Sequence, residues 1–200
     1  MTVKKKLVIK NIRKLYYAIL KSETENTVTY DPIKYLPGLR EITVTPEENS
    51  GEIYAEGMVW DSDTQLGKVS VTLDATDLSI EQYAELLGKE LDKNGGVIDN
   101  AYDESPYIAL MYEKEMTQGV MEYATLFKGK LSIPEDKVKT REGNVEYQTK
   151  SMQGTFMPLN NGNWRNIVRS DSPDFIEESF MENWGEGKTI KLPEKLVIIP

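Results

Sequence analysis

The residues able to do chemistry in this chain are few. Histidine and cysteine are both absent from its 200 residues, which excludes Ser-His-Asp triads, Cys-His pairs and metals held by imidazole or thiolate. Carboxylates, lysines and tyrosines remain. Asp61-Ser62-Asp63 opens like a calcium loop, but Leu66 stands where that loop needs glycine and Thr72 where it needs the closing glutamate. A polar turn after Trp60 is the expectation. Glu47-Glu48 and Glu177-Glu178 are adjacent in sequence, an arrangement that suits solvated surface better than an acid and base sharing a substrate. Trp60, Trp164 and Trp184 could stack on a sugar ring, although core or subunit-contact tryptophans are commoner. Lys4-Lys5-Lys6 and Lys128-Gly129-Lys130 lack the interleaved aromatics or glycine-rich cradle of a phosphate site and suit exposed strand ends. No catalytic residue, metal ligand or cofactor-binding residue is nominated, and no cofactor is expected.

Composition narrows the class further. Thirty-three acidic against 24 basic residues give a net charge of -9, a field that repels nucleic acid rather than holding it. An apolar content of 39% in 200 residues supports one substantial core, so a single domain over residues 1–200 is expected. The apolar run Leu7-Val8-Ile9 is broken by Lys10, Arg13 and Lys14, too early for a secretory signal or a membrane span. Synthesis in the cytoplasm, with no membrane partner, is the default, and a chain without cysteine fits a reducing compartment.

The elements that must position any site read mainly as strands. Val69, Val71 and Leu73 alternate with polar neighbours, as do Ile42 and Val44; Met121, Tyr123, Thr125 and Phe127; and Val145, Tyr147 and Thr149 toward Phe156. Residues 107–112 are apolar at almost every position, which predicts a strand covered on both faces. Ser79 and Gln82 form a capping box, Leu78 and Tyr83 a hydrophobic staple, and Gly88 a stop, so a helix is expected over residues 79–87 with Ile80, Tyr83, Ala84 and Leu87 on its buried side. A shorter C-terminal helix is expected over residues 173–184, with Ile176, Phe180 and Trp184 in line. Pro37-Gly38, Asn94-Gly95-Gly96, Glu142-Gly143-Asn144 and residues 160–163 carry turn chemistry. The polar stretch 21–35 reads as an extended arm or hairpin leaving the core. The apolar end, residues 188–200, should add a strand within or between subunits through Leu196, Val197, Ile198 and Ile199.

Several pieces follow one another in order: residues 11–19; the Leu36-Pro37-Gly38 turn into residues 42–47; residues 53–57; Val69-Ser70-Val71-Thr72-Leu73 before Leu86-Leu87-Gly88; Pro106-Tyr107-Ile108-Ala109-Leu110; and residues 126–132 followed by residues 145–149 and Gly154-Thr155. In this order and spacing they resemble the phage major tail proteins of the phi13 type. The resemblance spans about residues 8–184. It implies a mainly β fold, a β-sandwich of tail-tube type flanked by a helix, whose subunits form hexameric rings stacked around a channel for DNA. That work needs no catalytic residue.

The implied partners are further copies of the chain, a tape measure protein in the lumen, tail terminator and distal tail proteins, and DNA passing without specific binding. The implied location is the virion tail. The arm at residues 21–35 falls where such proteins reach the neighbouring ring, which nominates Glu23, Glu25, Thr27, Thr29, Tyr30 and Tyr35 for self-assembly. Three other readings compete: a monomeric carbohydrate-binding β-sandwich, a carboxylate-dependent enzyme, and a tube subunit of a phage-derived bacterial injection particle.

Overall fold

The computed structural model describes residues 6–25, 27–76, 78–136, 138–140 and 149–193. In chain order the elements are β1 (Ile9–Glu23), β2 (Val28–Tyr30), β3 (Lys34–Leu36), β4 (Leu39–Ala55), β5 (Met58–Ala75), α1 (Ile80–Leu87), β6 (Glu90–Leu91), β7 (Val97–Ile98), β8 (Ile108–Met116), β9 (Met121–Leu131), β10 (Lys150–Phe156), β11 (Arg165–Arg169) and α2 (Glu177–Met181). The fold is mainly β with two helices. One open antiparallel sheet runs β2-β1-β8-β9-β10-β5-β4, with β3 added on β1 and β11 on β9; β6 and β7 form a separate small hairpin.

The centre of β1 (Leu15 to Ala18) and most of β8 and β9 are buried on both sides, and alternation sorts their side chains into two cores. Leu15, Tyr17, Leu110, Tyr112, Ala124 and Leu126 face one way, where Val69, Val71 and Leu73 of β5, Met152 and Phe156 of β10, and Leu86 and Leu87 of α1 pack on them. Tyr16, Ala18, Ala109, Met111, Tyr123 and Phe127 face the other way, under Tyr30, Ile33, Leu159, Trp184 and Ile190. The two-sided apolar run of residues 107–112 is therefore the centre of the sandwich-like body.

The capping box at α1 is present: the Gln82 backbone N–H donates to Ser79 Oγ, the Gln82 side chain accepts from the Ser79 N–H, and Gly88 closes the helix at φ 66°. Its buried side is rotated from the expected one. Leu86 is buried with Ala84 and Leu87, whereas Ile80 is half exposed. The reason lies in the docking contacts. Glu85 accepts the Tyr17 hydroxyl at 2.7 Å and pairs with Lys34, while Gln82 donates to the Tyr35 carbonyl. These bonds anchor the helix to β1 and β3 through Gln82 and Glu85, and Ile80 is left facing outward. The C-terminal helix is narrower than residues 173–184, because Ser172 to Phe175 close a turn and Ile176 offers no capping side chain. Phe180 and Trp184 still face the core, but Ile176 is exposed.

Lys128-Gly129-Lys130 has a packing reason at its centre. A Cβ on Gly129 would sit 2.3–2.5 Å from three ring carbons of Phe156, so the aromatic ring occupies the space a side chain would fill. Gly129→Ala is expected to cost about 1–3 kcal/mol through forced displacement of that ring, read as a lowered urea midpoint at unchanged slope.

Buried tyrosines tie the cores to polar partners and set an alkaline limit. Tyr16 donates to Glu113, and its hydroxyl is pushed up to about 12, first by burial and then by that carboxylate. Tyr17 and Tyr30 are raised further, mainly by burial, with Glu85 and Glu23 respectively adding to it. All three titrate higher folded than unfolded, so the stability they contribute is complete below pH 10 and falls as pH climbs through about 10 to 12. Urea titrations from pH 8 to 11.5 should show that decline.

Candidate self-assembly surface

Strands β4 and β5 are far longer than the body they belong to. From Leu39 to Pro46, paired with Val69 to Ala75, they lie on the sandwich and place Ile42 and Val44 against its core. Beyond a register shift at Pro46/Glu48 the two strands leave the body as a ribbon paired only with itself, from Glu48↔Leu66 to Ala55↔Met58. Eight residues of strand, Glu48 to Ala55, reach about 26 Å. Glu56 and Gly57 close the ribbon with φ 52° and 80°, the left-handed pair that a tight two-residue hairpin requires.

The tip of this ribbon is apolar and packs on neither core among the described residues. Ile53 (65%), Tyr54 (66%), Met58 (62%), Val59 and Trp60 (68%) are all at least half exposed. A further register shift leaves Trp60 as the extra residue between the Ile53–Asp61 and Tyr54–Val59 pairs, a bulge that twists the strands just short of the turn. Two-stranded ribbons are marginal alone, and clustered exposed apolar side chains mark a docking surface. The outer edge of β4 adds to this: among the described residues β4 pairs only with β5, so a row of backbone donors and acceptors is open. Pro46 is tolerated there because an edge strand need not donate on both sides.

Asp61-Ser62-Asp63 lies in the extended ribbon and not in a turn. Of the three tryptophans only Trp60 presents its ring. Trp164 is partly buried beneath the Arg165 guanidinium, whose centre is 4.3 Å from the ring centroid, and Trp184 is buried, donating to Glu113 at 3.0 Å.

Residues 21–25 and 27–35 lie beside β1. They turn back along β1, with Leu20↔Tyr30 and Tyr16↔Tyr35 in register. Glu23 is almost wholly buried; it pairs with Lys128, and its other oxygen accepts the Asn160 backbone N–H at 2.6 Å. Tyr30 is buried and donates to the Phe127 carbonyl at 2.9 Å. Glu25, Thr27 and Thr29 are exposed at the turn, with Thr29 bonded to Ser22, and Tyr35 is half exposed beside Tyr16. Of the two readings of this polar stretch, extended arm or hairpin, the structure has the hairpin, with Glu23 at its base paired with Lys128. Val145, Tyr147, the turn at Glu142-Gly143-Asn144, and Leu196 to Ile199 lie outside the described residues; of the C-terminal piece, Ile190 and Leu192 pack on the second core.

A family model described as phage tail tube protein matches residues 37–190. The chain belongs to the phage tail tube protein family. It is thus a structural protein of the virion tail. Curated protein sequences give no match. The tail tube match begins where β4 begins and takes in the whole projecting ribbon, leaving β1 to β3 outside it. Strand β1 is nevertheless integral to this tail tube subunit, since it pairs with β8 from Ile9↔Met116 to Ile19↔Ile108.

The ribbon was not read from the sequence. Its signal was available: between Val44 and Val69 the large apolar residues gather on both sides of Glu56-Gly57 instead of alternating along the strands.

Proposed function

We propose that this chain is a major tail protein of the phi13 type, which polymerises through identical contacts into stacked hexameric rings forming the tube through which phage DNA passes. One observation carries the reading: a tail tube domain projects a ribbon with an unburied apolar tip, and that tip needs a surface its own subunit does not supply. The open edge of β4 suits lateral pairing within a ring, and the ribbon suits contact between rings. Of the nominated residues at 21–35, Glu25, Thr27, Thr29 and Tyr35 are exposed and open to self-assembly contacts, whereas Glu23 and Tyr30 are held inside the subunit. Leu196 to Ile199 keep their proposed place as a strand within or between subunits.

The acidic excess fits a channel that must not hold DNA by its phosphates. The tape measure, terminator and distal tail proteins are the remaining partners, and no reaction is required of the chain. Sedimentation velocity at rising concentration tests the reading. Conversion of a small species into large assemblies is expected, whereas a single monomeric boundary at every concentration would contradict it.

A further inference from the structure

The charges on the ribbon point to its docking surface. Residues 47–67 carry Glu47, Glu48, Glu52, Glu56, Asp61 and Asp63 and no basic residue. An apolar tip on a stalk of six carboxylates selects a partner surface that is apolar and basic together; an acidic or neutral one would leave the stalk repelled or unmatched.

One stretch of this chain has that character. Residues 6–14 carry Lys6, Lys10, Arg13 and Lys14 and no acidic residue, and within them Val8 and Ile9 are exposed at 64% and 56%. Among the described residues the acid bonded to this group is Glu115, which contacts Lys10 at 3.4 Å and Arg13 at 3.1 Å, while both cations stay more than half in solvent. Such surface pairs are weak and leave the strand basic. One side of β1 here pairs with β8; on its other side β3 begins only opposite Leu15, so among the described residues the backbone edge from Ile9 to Lys14 is open. Among the described residues no hydrogen bond or ion pair joins the ribbon to this stretch within one subunit.

Resting on the reading that the chain polymerises, we propose that the β4–β5 ribbon of one copy docks on residues 6–14 of another. Tyr54, Met58 and Trp60 then cover Val8 and Ile9, and the ribbon carboxylates face Lys10, Arg13 and Lys14. The contact is heterologous, ribbon to strand, so it propagates from copy to copy instead of closing a pair.

A charge exchange tests this. Chain with Glu52→Lys, Asp61→Lys and Asp63→Lys, and chain with Lys10→Glu, Arg13→Glu and Lys14→Glu, should each raise the concentration needed for assembly by on the order of tenfold or more. The chain carrying all six exchanges should regain assembly. A melting curve on each confirms folding. Because the chain has no cysteine, a second readout is free of background: mixed Tyr54→Cys and Ile9→Cys chains should oxidise to a crosslinked heterodimer faster than either forms a homodimer. Assembly of wild type with no rescue by the sixfold variant and no preferred heterodimer would overturn the pairing alone. Failure of wild type to assemble at any concentration would overturn the polymerisation reading, and this one with it.

Discussion

Replacing Glu23 by alanine should destabilise the subunit by about 3 kcal/mol, whereas replacing Glu25, two residues on, should cost less than about 0.5 kcal/mol. Both were nominated for the same role, so the contrast separates a clamp from a solvated turn. Glu23 and Lys128 keep only 8% and 14% of their side chains exposed, and the second Glu23 oxygen binds the Asn160 N–H. Removing the carboxylate strands a largely buried ammonium, whereas the exposed Asn160 N–H turns to water, and a buried charge without its partner costs far more than a surface pair is worth. Lys128 retains the Tyr107 ring 5.0 Å away, which places the cost at the lower end of the range for broken buried pairs. Urea unfolding of the two variants decides it. Equal small losses would mean that residues 21–30 are held by something other than this ion pair.

Replacing Tyr54, Met58 and Trp60 together by serine should do the opposite: leave subunit stability within about 0.5 kcal/mol of wild type while abolishing assembly. In the subunit these residues are 62–68% exposed and belong to neither core, so their removal forfeits no core contact. In an assembly each large aromatic covers about 150–250 Å². At about 25 cal/mol per Å² that is on the order of 4–6 kcal/mol per aromatic before association costs are deducted, enough to move assembly by decades in concentration. Paired measurements of the unfolding midpoint and the sedimentation profile check both halves. A variant that unfolds much earlier would show that the tip packs within its own subunit, and one that assembles normally would remove the ribbon from the interface.

What the sequence made legible follows from how local each signal is. Ser79, Gln82 and Gly88 act within a few residues of one another, and the helix they delimit is present with its caps. Val69, Val71 and Leu73 alternate because one side of β5 meets the core, and the unbroken apolar run around Ile108 to Tyr112 meets a core on each side. The misplaced expectations concern partners distant in the chain. Glu23 looks like an arm residue until Lys128 and Asn160, more than a hundred positions away, are brought to it. Residues 53–60 look like an ordinary strand pair until the body ends at Pro46 and Val69, and only then do Tyr54 and Trp60 have nothing above them. Rotation of α1, which exposes Ile80 and buries Leu86, likewise depends on Glu85 meeting Tyr17 and Lys34.

Electron microscopy of the purified chain tests the central claim most directly. The account predicts hollow filaments whose reconstruction shows rings of subunits, each ribbon lying on the next copy with Trp60 covered. Isolated particles of subunit size, with the ribbon folded back so that Ile53, Tyr54 and Trp60 rest on their own sandwich, would contradict it.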